Sequence, residues 1–208
     1  MTDIPSDNTS PESKNRRDFL TLLTASTVTV GGVALVWPFL NSLSPPAKNV
    51  ATQRFIDVDI SPLAEGQQIS VVWQNKPIFI IKRSSDALKK LQDPDLLILL
   101  RDPESKEHQQ PAYATNWHRS IKPEIGVFIG ICTHLGCVPI LTAGNILGKN
   151  YHCACHGSTF DLSGRVYQSV PAPYNLPVPP YDFIKPNIIR IGKNPDGHSF
   201  GLEDITQL

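Results

Sequence analysis

At the start of the chain the pattern is continuous rather than periodic. Residues 1–18 are polar, with Pro5, Pro11 and several Ser, Thr and Asn, and offer no periodic apolar face, which predicts an irregular cytoplasmic tail. From Phe19 to Ala47 no residue is charged, and 19–40 is mostly Leu, Val, Ala, Thr and Gly. Coiled as a helix, that stretch is about 33 Å long, enough to cross a hydrocarbon layer of ~30 Å, so 19–40 is predicted to be a transmembrane anchor. Residues 41–52 carry Ser42, Ser44, Pro45 and Pro46 with little to pack, and read as a flexible linker stiffened at the double proline.

From residue 53 to 208 the pattern changes to short alternating or apolar runs, the signature of a strand-rich head. Phe55, Val58 and Ile60 alternate with polar neighbours; Ile69, Val71 and Val72 mark a second strand over 68–73; 77–81 is a third. Ser84 or Ser85 is placed to cap a short helix holding Ala87, Leu88 and Leu91, which Asp93-Pro94 stops. Residues 96–100 fit either its continuation or a strand. Residues 127–131 form a buried strand that runs straight into the first cysteine, and 184–191, with Ile184, Ile188, Ile189 and Ile191, close the domain as further strand. No internal repeat is visible.

Composition narrows the function. Lys plus Arg and Asp plus Glu both total 19, so no basic field exists to hold a polyanion and nucleic acid is excluded as a partner. Nineteen prolines in 208 residues favour turn-rich β structure over a helical bundle. Lys14, Arg16 and Arg17 precede the apolar stretch and only Lys48 follows closely, which places the N-terminus in the cytoplasm and the head outside. Asn15-Arg16-Arg17-Asp18-Phe19-Leu20 resembles a twin-arginine export signal, a route for cargo that folds and takes up its metal before crossing. An ordinary cleavable signal peptide is the alternative, but Ser42-Leu43-Ser44 is followed by Pro45 and makes a poor cleavage site, so the segment is expected to stay as an anchor.

The chemistry lies in two short boxes, Cys132-Thr133-His134-Leu135-Gly136-Cys137 and Cys153-Ala154-Cys155-His156-Gly157-Ser158, which contain all four cysteines. Neighbouring glycines suggest tight turns whose backbone N–H groups can donate to charged sulfur. A structural zinc site needs four ligands, which leaves two of these Cys and His residues over, and the C-x-H and C-x2-H spacing is unlike a zinc ribbon. A four-cysteine iron–sulfur cluster would leave both histidines idle and does not match C-x4-C-x2-C. A mixed site of two Cys and two His, with the other two cysteines paired, fits best; which thiols ligate is left open by the residues alone.

The boxes C-T-H-L-G-C and C-x-C-H-G-S resemble those of Rieske iron–sulfur proteins. With the twin-arginine anchor, the linker, the strand-rich base and Val170-Pro171-Ala172-Pro173, nearly the whole chain resembles the family of Rieske subunits of cytochrome bc1 complexes. That resemblance implies an all-β Rieske head of small antiparallel sheets, with a cluster-binding subdomain inserted at about 127–173. It implies one [2Fe-2S] cluster, with Cys132 and Cys153 on one iron, His134 and His156 on the other, and a Cys137–Cys155 disulfide. It further implies that Ser158 donates to a bridging sulfide and that His156 is the histidine that meets quinol. The expected role is to take an electron and a proton from quinol at cytochrome b and to pass the electron to cytochrome c1, within a dimeric complex of a bacterial inner membrane, the head being periplasmic. The small subunit of an arsenite oxidase and a Rieske ferredoxin carrier are the rivals; Cys137, Cys155 and the anchor argue against the ferredoxin, and the conventional first box against the oxidase.

Elementary chemistry explains the donor set. Two ferric ions, two sulfides and two thiolates sum to zero charge, whereas four thiolates leave two negative charges, so the mixed site accepts an electron more readily. Imidazole also keeps a second nitrogen that can exchange a proton, which suits a donor of both. High-potential members usually carry Tyr where Phe160 stands, so the potential is expected below the family's upper end; Ala154 replaces a commoner Pro, and Val170 a commoner Gly. Val170–Pro173 should form a rigid apolar cover on one side of the cluster. His108, His118, His152 and His198 are assigned no function, and Trp73 and Trp117 are read as core.

Overall fold

A computed structural model describes residues 11–42, 54–145 and 148–208, in two compact units, one within 1–51 and one within 52–208. The described residues of the first form a single helix, α1 (Pro11–Ser42). It corrects the expectation for residues 11–18, which are helical rather than irregular: Pro11 is suited to a first helical turn, and no Gly or further Pro intervenes before Gly31. Asn41 and Ser42, assigned to the linker from sequence, continue the helix; the rest of 41–52 lies outside the described residues. From Asn15 to Ser42 the side chains are exposed, and this segment is long and apolar enough to cross a bilayer. Its polar residues suit an apolar medium because the hydroxyls of Thr21, Thr24, Ser26, Thr27 and Thr29 each donate to a carbonyl one turn earlier.

The second unit contains three antiparallel three-stranded sheets. In the first, β1 (Ile56–Asp59) lies on β9 (Ile188–Ile191), which pairs with β8 (Tyr181–Lys185). The single closing strand expected over 184–191 is therefore a hairpin, because Pro186-Asn187 turns the chain. The second sheet runs β2 (Gln68–Trp73), β3 (Lys76–Lys82) and β4 (Ile125–Ile129). All five residues of β4 are buried, and with Ile78, Phe79, Ile80 and Ile81 they make the centre of the core. Helix α2 (Ser85–Lys90) follows β3, with the Ser84 hydroxyl accepting from Ala87 N–H as its cap. Residues 96–100, left open from sequence, divide between a helical turn, α3 (Pro94–Leu97), and a bridge from Leu100 to Tyr167.

The third sheet, β5 (Ile140–Asn145), β6 (Gly148–His152) and β7 (Thr159–Phe160), lies wholly between and after the two cysteine boxes. Beneath it, Asp161 and Arg165 form a buried ion pair (2.7 Å) in which Asp161 also accepts from the Ser163 and Arg165 N–H groups. That closes the turn after β7, the strand into which the second box returns.

Candidate metal centre

The first box leaves the end of β4 and the second leaves the end of β6, so each loop springs from a strand anchored in a sheet. Both loops close in the same way. Cys132 N–H donates to Cys137 O (2.7 Å) and Gly136 N–H to Cys132 O (2.9 Å); Cys153 N–H donates to Ser158 O (2.8 Å) and Gly157 N–H to Cys153 O (2.9 Å). The fifth residue of each loop must then adopt a left-handed backbone, and it is glycine in both, at φ +83° and +80°. The two six-residue loops thus share one backbone plan. The histidine occupies the third position of one and the fourth of the other, and the two rings meet edge to face with centroids 4.7 Å apart.

Cys137 and Cys155 are joined as a disulfide that ties loop to loop, while Cys132 and Cys153 are free and buried. Cys153 Sγ lies within 4.8 Å of both disulfide sulfurs, but only the two free thiols retain donor capacity. Burial pushes the Cys132 thiol up; the His134 backbone N–H works against this, the adjacent Cys153 thiol adds to it, and the Ser158 hydroxyl again opposes it. A thiol packed away from water gains nothing by ionising unless a cation takes it. His134 gives the matching signal: its Nδ1 is buried without a hydrogen-bond partner, a costly state for an imidazole nitrogen unless it ligates. The donors present therefore fit a metal group held by two thiolates and two imidazoles. His134 is half-buried and His156 exposed.

A third segment closes the site from one side. The Ser158 hydroxyl, expected to face a bridging sulfide, accepts from Ala172 N–H (3.0 Å), and Thr133 Oγ1 donates to Tyr174 O (2.7 Å), so Val170–Tyr174 is tied to both loops. Arg101 holds the far end through Val170 O (3.0 Å). Ala172 is fully buried and Pro171 exposed. Thr133, Tyr174 and Arg101 were not singled out from sequence. Thr133 sits inside a box whose reading was absorbed by its Cys and His, and the other two act through distant partners. Phe160 is fully buried, paired across the sheet with Tyr151, and Tyr151 stacks on Phe79. Trp73 is core, 2% exposed, and His118, His152 and His198 lie outside the site.

Around the loops the surface is apolar: Leu135, Val138 and Ile140 are exposed, Leu135 at 71%. Isolated exposed leucines are ordinary, but three within six residues flanking a metal-ligand set make a patch suited to a partner.

Comparison with known proteins places these features. Residues 55–181 match the family model described as Rieske [2Fe-2S] domain, and residues 6–46 match that described as "Ubiquitinol-cytochrome C reductase Fe-S subunit TAT signal". The ubiquinol-cytochrome c reductase iron-sulfur subunit of Bradyrhizobium diazoefficiens is 43% identical over 183 residues, 88% of this chain and 97% of that one. Its namesake from Rickettsia felis is 45% identical over 177 residues, 85% of this chain and 93% of its own. Among solved structures, a chain of a hyperthermophilic respiratory Complex III is similar with a TM-score of 0.44 and 22% identity, over 81% of this chain and 98% of that one.

Proposed function

The chain belongs to the family of ubiquinol-cytochrome c reductase iron–sulfur subunits with a Rieske [2Fe-2S] domain, and from that premise we propose how its residues serve quinol oxidation. It is the electron-transfer subunit of a membrane-anchored bc1 complex, an oxidoreductase whose catalysis belongs to the assembly, with cytochrome b and cytochrome c1 subunits as partners. Cys132 and Cys153 would hold the cluster through their thiolates and His134 and His156 through their imidazoles, with the buried Nδ1 of His134 as its donor atom. The bound cluster supplies one-electron redox chemistry.

The remaining work falls to the chain itself. His156, exposed at the tip, accepts a hydrogen bond from the quinol hydroxyl at its outward ring nitrogen and takes the proton there. Leu135, Val138 and Ile140 seat the tip against cytochrome b and exclude water from the encounter. The disulfide and the Val170–Tyr174 segment hold the two loops in register, so that the ligand atoms need not reorganise. The head then carries the electron to cytochrome c1, on the periplasmic side of a bacterial inner membrane and within a dimeric complex.

The observation that carries this reading is the pairing of two free buried thiols with an orphaned, buried His134 Nδ1 between disulfide-tied loops. A redox titration of isolated membranes, followed by EPR, tests it. The midpoint should fall in the range of mixed His/Cys centres, roughly −150 to +300 mV, and a value near −400 mV would point to four thiolates instead. Each of Cys132→Ser, His134→Ala, Cys153→Ser and His156→Ala should abolish the signal, and intact intensity in any one removes that residue from the ligand set.

A further inference from the structure

The last residues of the chain return to the metal centre. Beyond β9 the chain makes a helical turn at Leu202–Asp204 and then buries Ile205. Thr206 N–H donates to His108 O (2.9 Å), and Thr206 Oγ1 reaches the same carbonyl (3.2 Å). Next to it the side chain of Gln109 is fully buried and, with its amide oriented so that both polar atoms find partners, pairs with the Gln207 backbone in both directions: its nitrogen then faces Gln207 O (3.2 Å) and its oxygen Gln207 N–H (3.1 Å). A side-chain amide used in this way extends the backbone ladder as a strand would. From there Gln207 Nε2 lies 3.5 Å from the carbonyl oxygen of His134, as its donor.

Followed further, these bonds make a ring. Gln109 O accepts from Val178 N–H (2.8 Å), and the neighbouring Pro177 O accepts from Ile129 N–H (2.7 Å), the last residue of β4. The first ligand loop springs from that strand. The loop is thus held at its root through β4 and near its crown through Gln207, by bonds that lead back to the same strand. We propose that residues 205–207 form a strap on the first ligand loop and that Gln207 is a positioning residue for His134, an inference that rests on the cluster-binding function above. A donor on His134 O fixes the peptide plane between His134 and Leu135, and with it the direction in which the ring leaves the backbone. That keeps Nδ1 turned inward while the second loop presents His156 outward.

The test uses the full chain in detergent, with and without its iron, and four variants. In Gln207→Ala, hydrogen–deuterium exchange over residues 133–136 should quicken while that over 153–158 stays native, and iron release to an excess of ferrous chelator from the reduced protein should rise about fivefold, the effect of one ordinary hydrogen bond on an equilibrium. Gln207→Glu, nearly the same shape but presenting an acceptor to the carbonyl, should do at least as much, and Gln207→Lys, which keeps a donor, should stay close to native. Gln109→Ala should add faster exchange at 206–207. Native exchange in Gln207→Ala, or equal loosening of both loops, would overturn the strap. A native chain that takes up no cluster would overturn the proposed function instead, and the exchange difference in the iron-free chain would still decide the strap.

Discussion

Two thiols with identical neighbours in sequence have opposite fates here. Cys153 stays free, and Cys155, two residues on, is bonded to Cys137, because the Gly157 turn puts the first position of the loop inside and the third outside. The boxes were therefore legible as a metal-site sequence, while the division of their sulfurs needed either the family resemblance or the folded loops. Thr133 and Gln207 were illegible for a different reason: each acts on a backbone carbonyl far away in the chain, a partner that periodicity does not specify. At this scale Phe160 offers a test. It is fully buried, so a phenol there must find an acceptor within the site, and a Cys132 thiolate ligand is a suitable one. Phe160→Tyr should raise the midpoint by about 40 mV, one hydrogen bond of ~1 kcal/mol for one electron; an unchanged or lower midpoint would show that the hydroxyl bonds elsewhere. His118 offers a second. Burial, and then the positive charge of Arg83, push its pKa down to about 4. The folded chain keeps it neutral while the unfolded chain takes up a proton near 6.5, so its contribution is complete above about pH 6.5 and is lost as the pH falls towards 4. His118→Asn should flatten that acid-side loss, by about 1 kcal/mol near pH 5 once the ring's partial exposure is allowed for. Thermal unfolding of both chains near pH 7 and pH 5 measures it, and parallel losses would refute the assignment.

At the scale of elements, runs of apolar residues located two strands of the central sheet, one by alternation where its faces are buried unequally and one by a continuous apolar run where both faces are buried. The runs over 68–73 and 77–81 emerge as β2 and β3 with nearly the expected ends. The helix capped by Ser84 did so as well, because Asp93-Pro94 punctuates it chemically. The sheet β5–β6–β7 was not legible because its strands are rich in polar and glycine residues and are dominated in sequence by the boxes they support. β7 is only two residues long and the apolar side chains around the loops, Leu135, Val138 and Ile140, face outward, so cross-links rather than packing must hold the two boxes together. For a separation of 18 residues the disulfide alone would nominally contribute about 3 kcal/mol. A bound cluster already joins the same loops, which reduces that contribution to about 1–2 kcal/mol in the loaded protein. Cys137→Ser and Cys155→Ser should accordingly still assemble a cluster, lower the unfolding midpoint by a few degrees, and lose iron faster than the native chain. Alkylation of both cysteines in the native oxidised protein, without prior reduction, would disprove the bond.

The whole molecule is two bodies with different solvents, a helix exposed along its apolar length and a head with its own core, and their junction sets the last two expectations. If the head folds around its metal before crossing the membrane, as the match of residues 6–46 to a TAT-signal model suggests, changing Arg16 and Arg17 together to Lys should leave a cluster-bearing protein inside the cell; unchanged delivery to the outer face would refute that route. The junction itself was legible as composition, Ser and double Pro between an apolar run and alternating strands, but residues 43–52 lie outside the described residues. Because Asn41 and Ser42 belong to the helix, the ten residues 43–52 span at most about 36 Å even fully extended. A carrier that meets quinol at one subunit and cytochrome c1 at another must find its travel within that span. Added prolines at 47–51 should therefore leave the EPR signal, the midpoint and quinol binding nearly native while slowing cytochrome c reduction severalfold, because they restrict the chain without touching the ligand loops. If the segment only joins anchor to head, the same substitutions cost little. Full steady-state turnover in such a variant, with its cluster verified, would mean that the head does not travel, and electron delivery would then have to occur from a fixed position within reach of both partners.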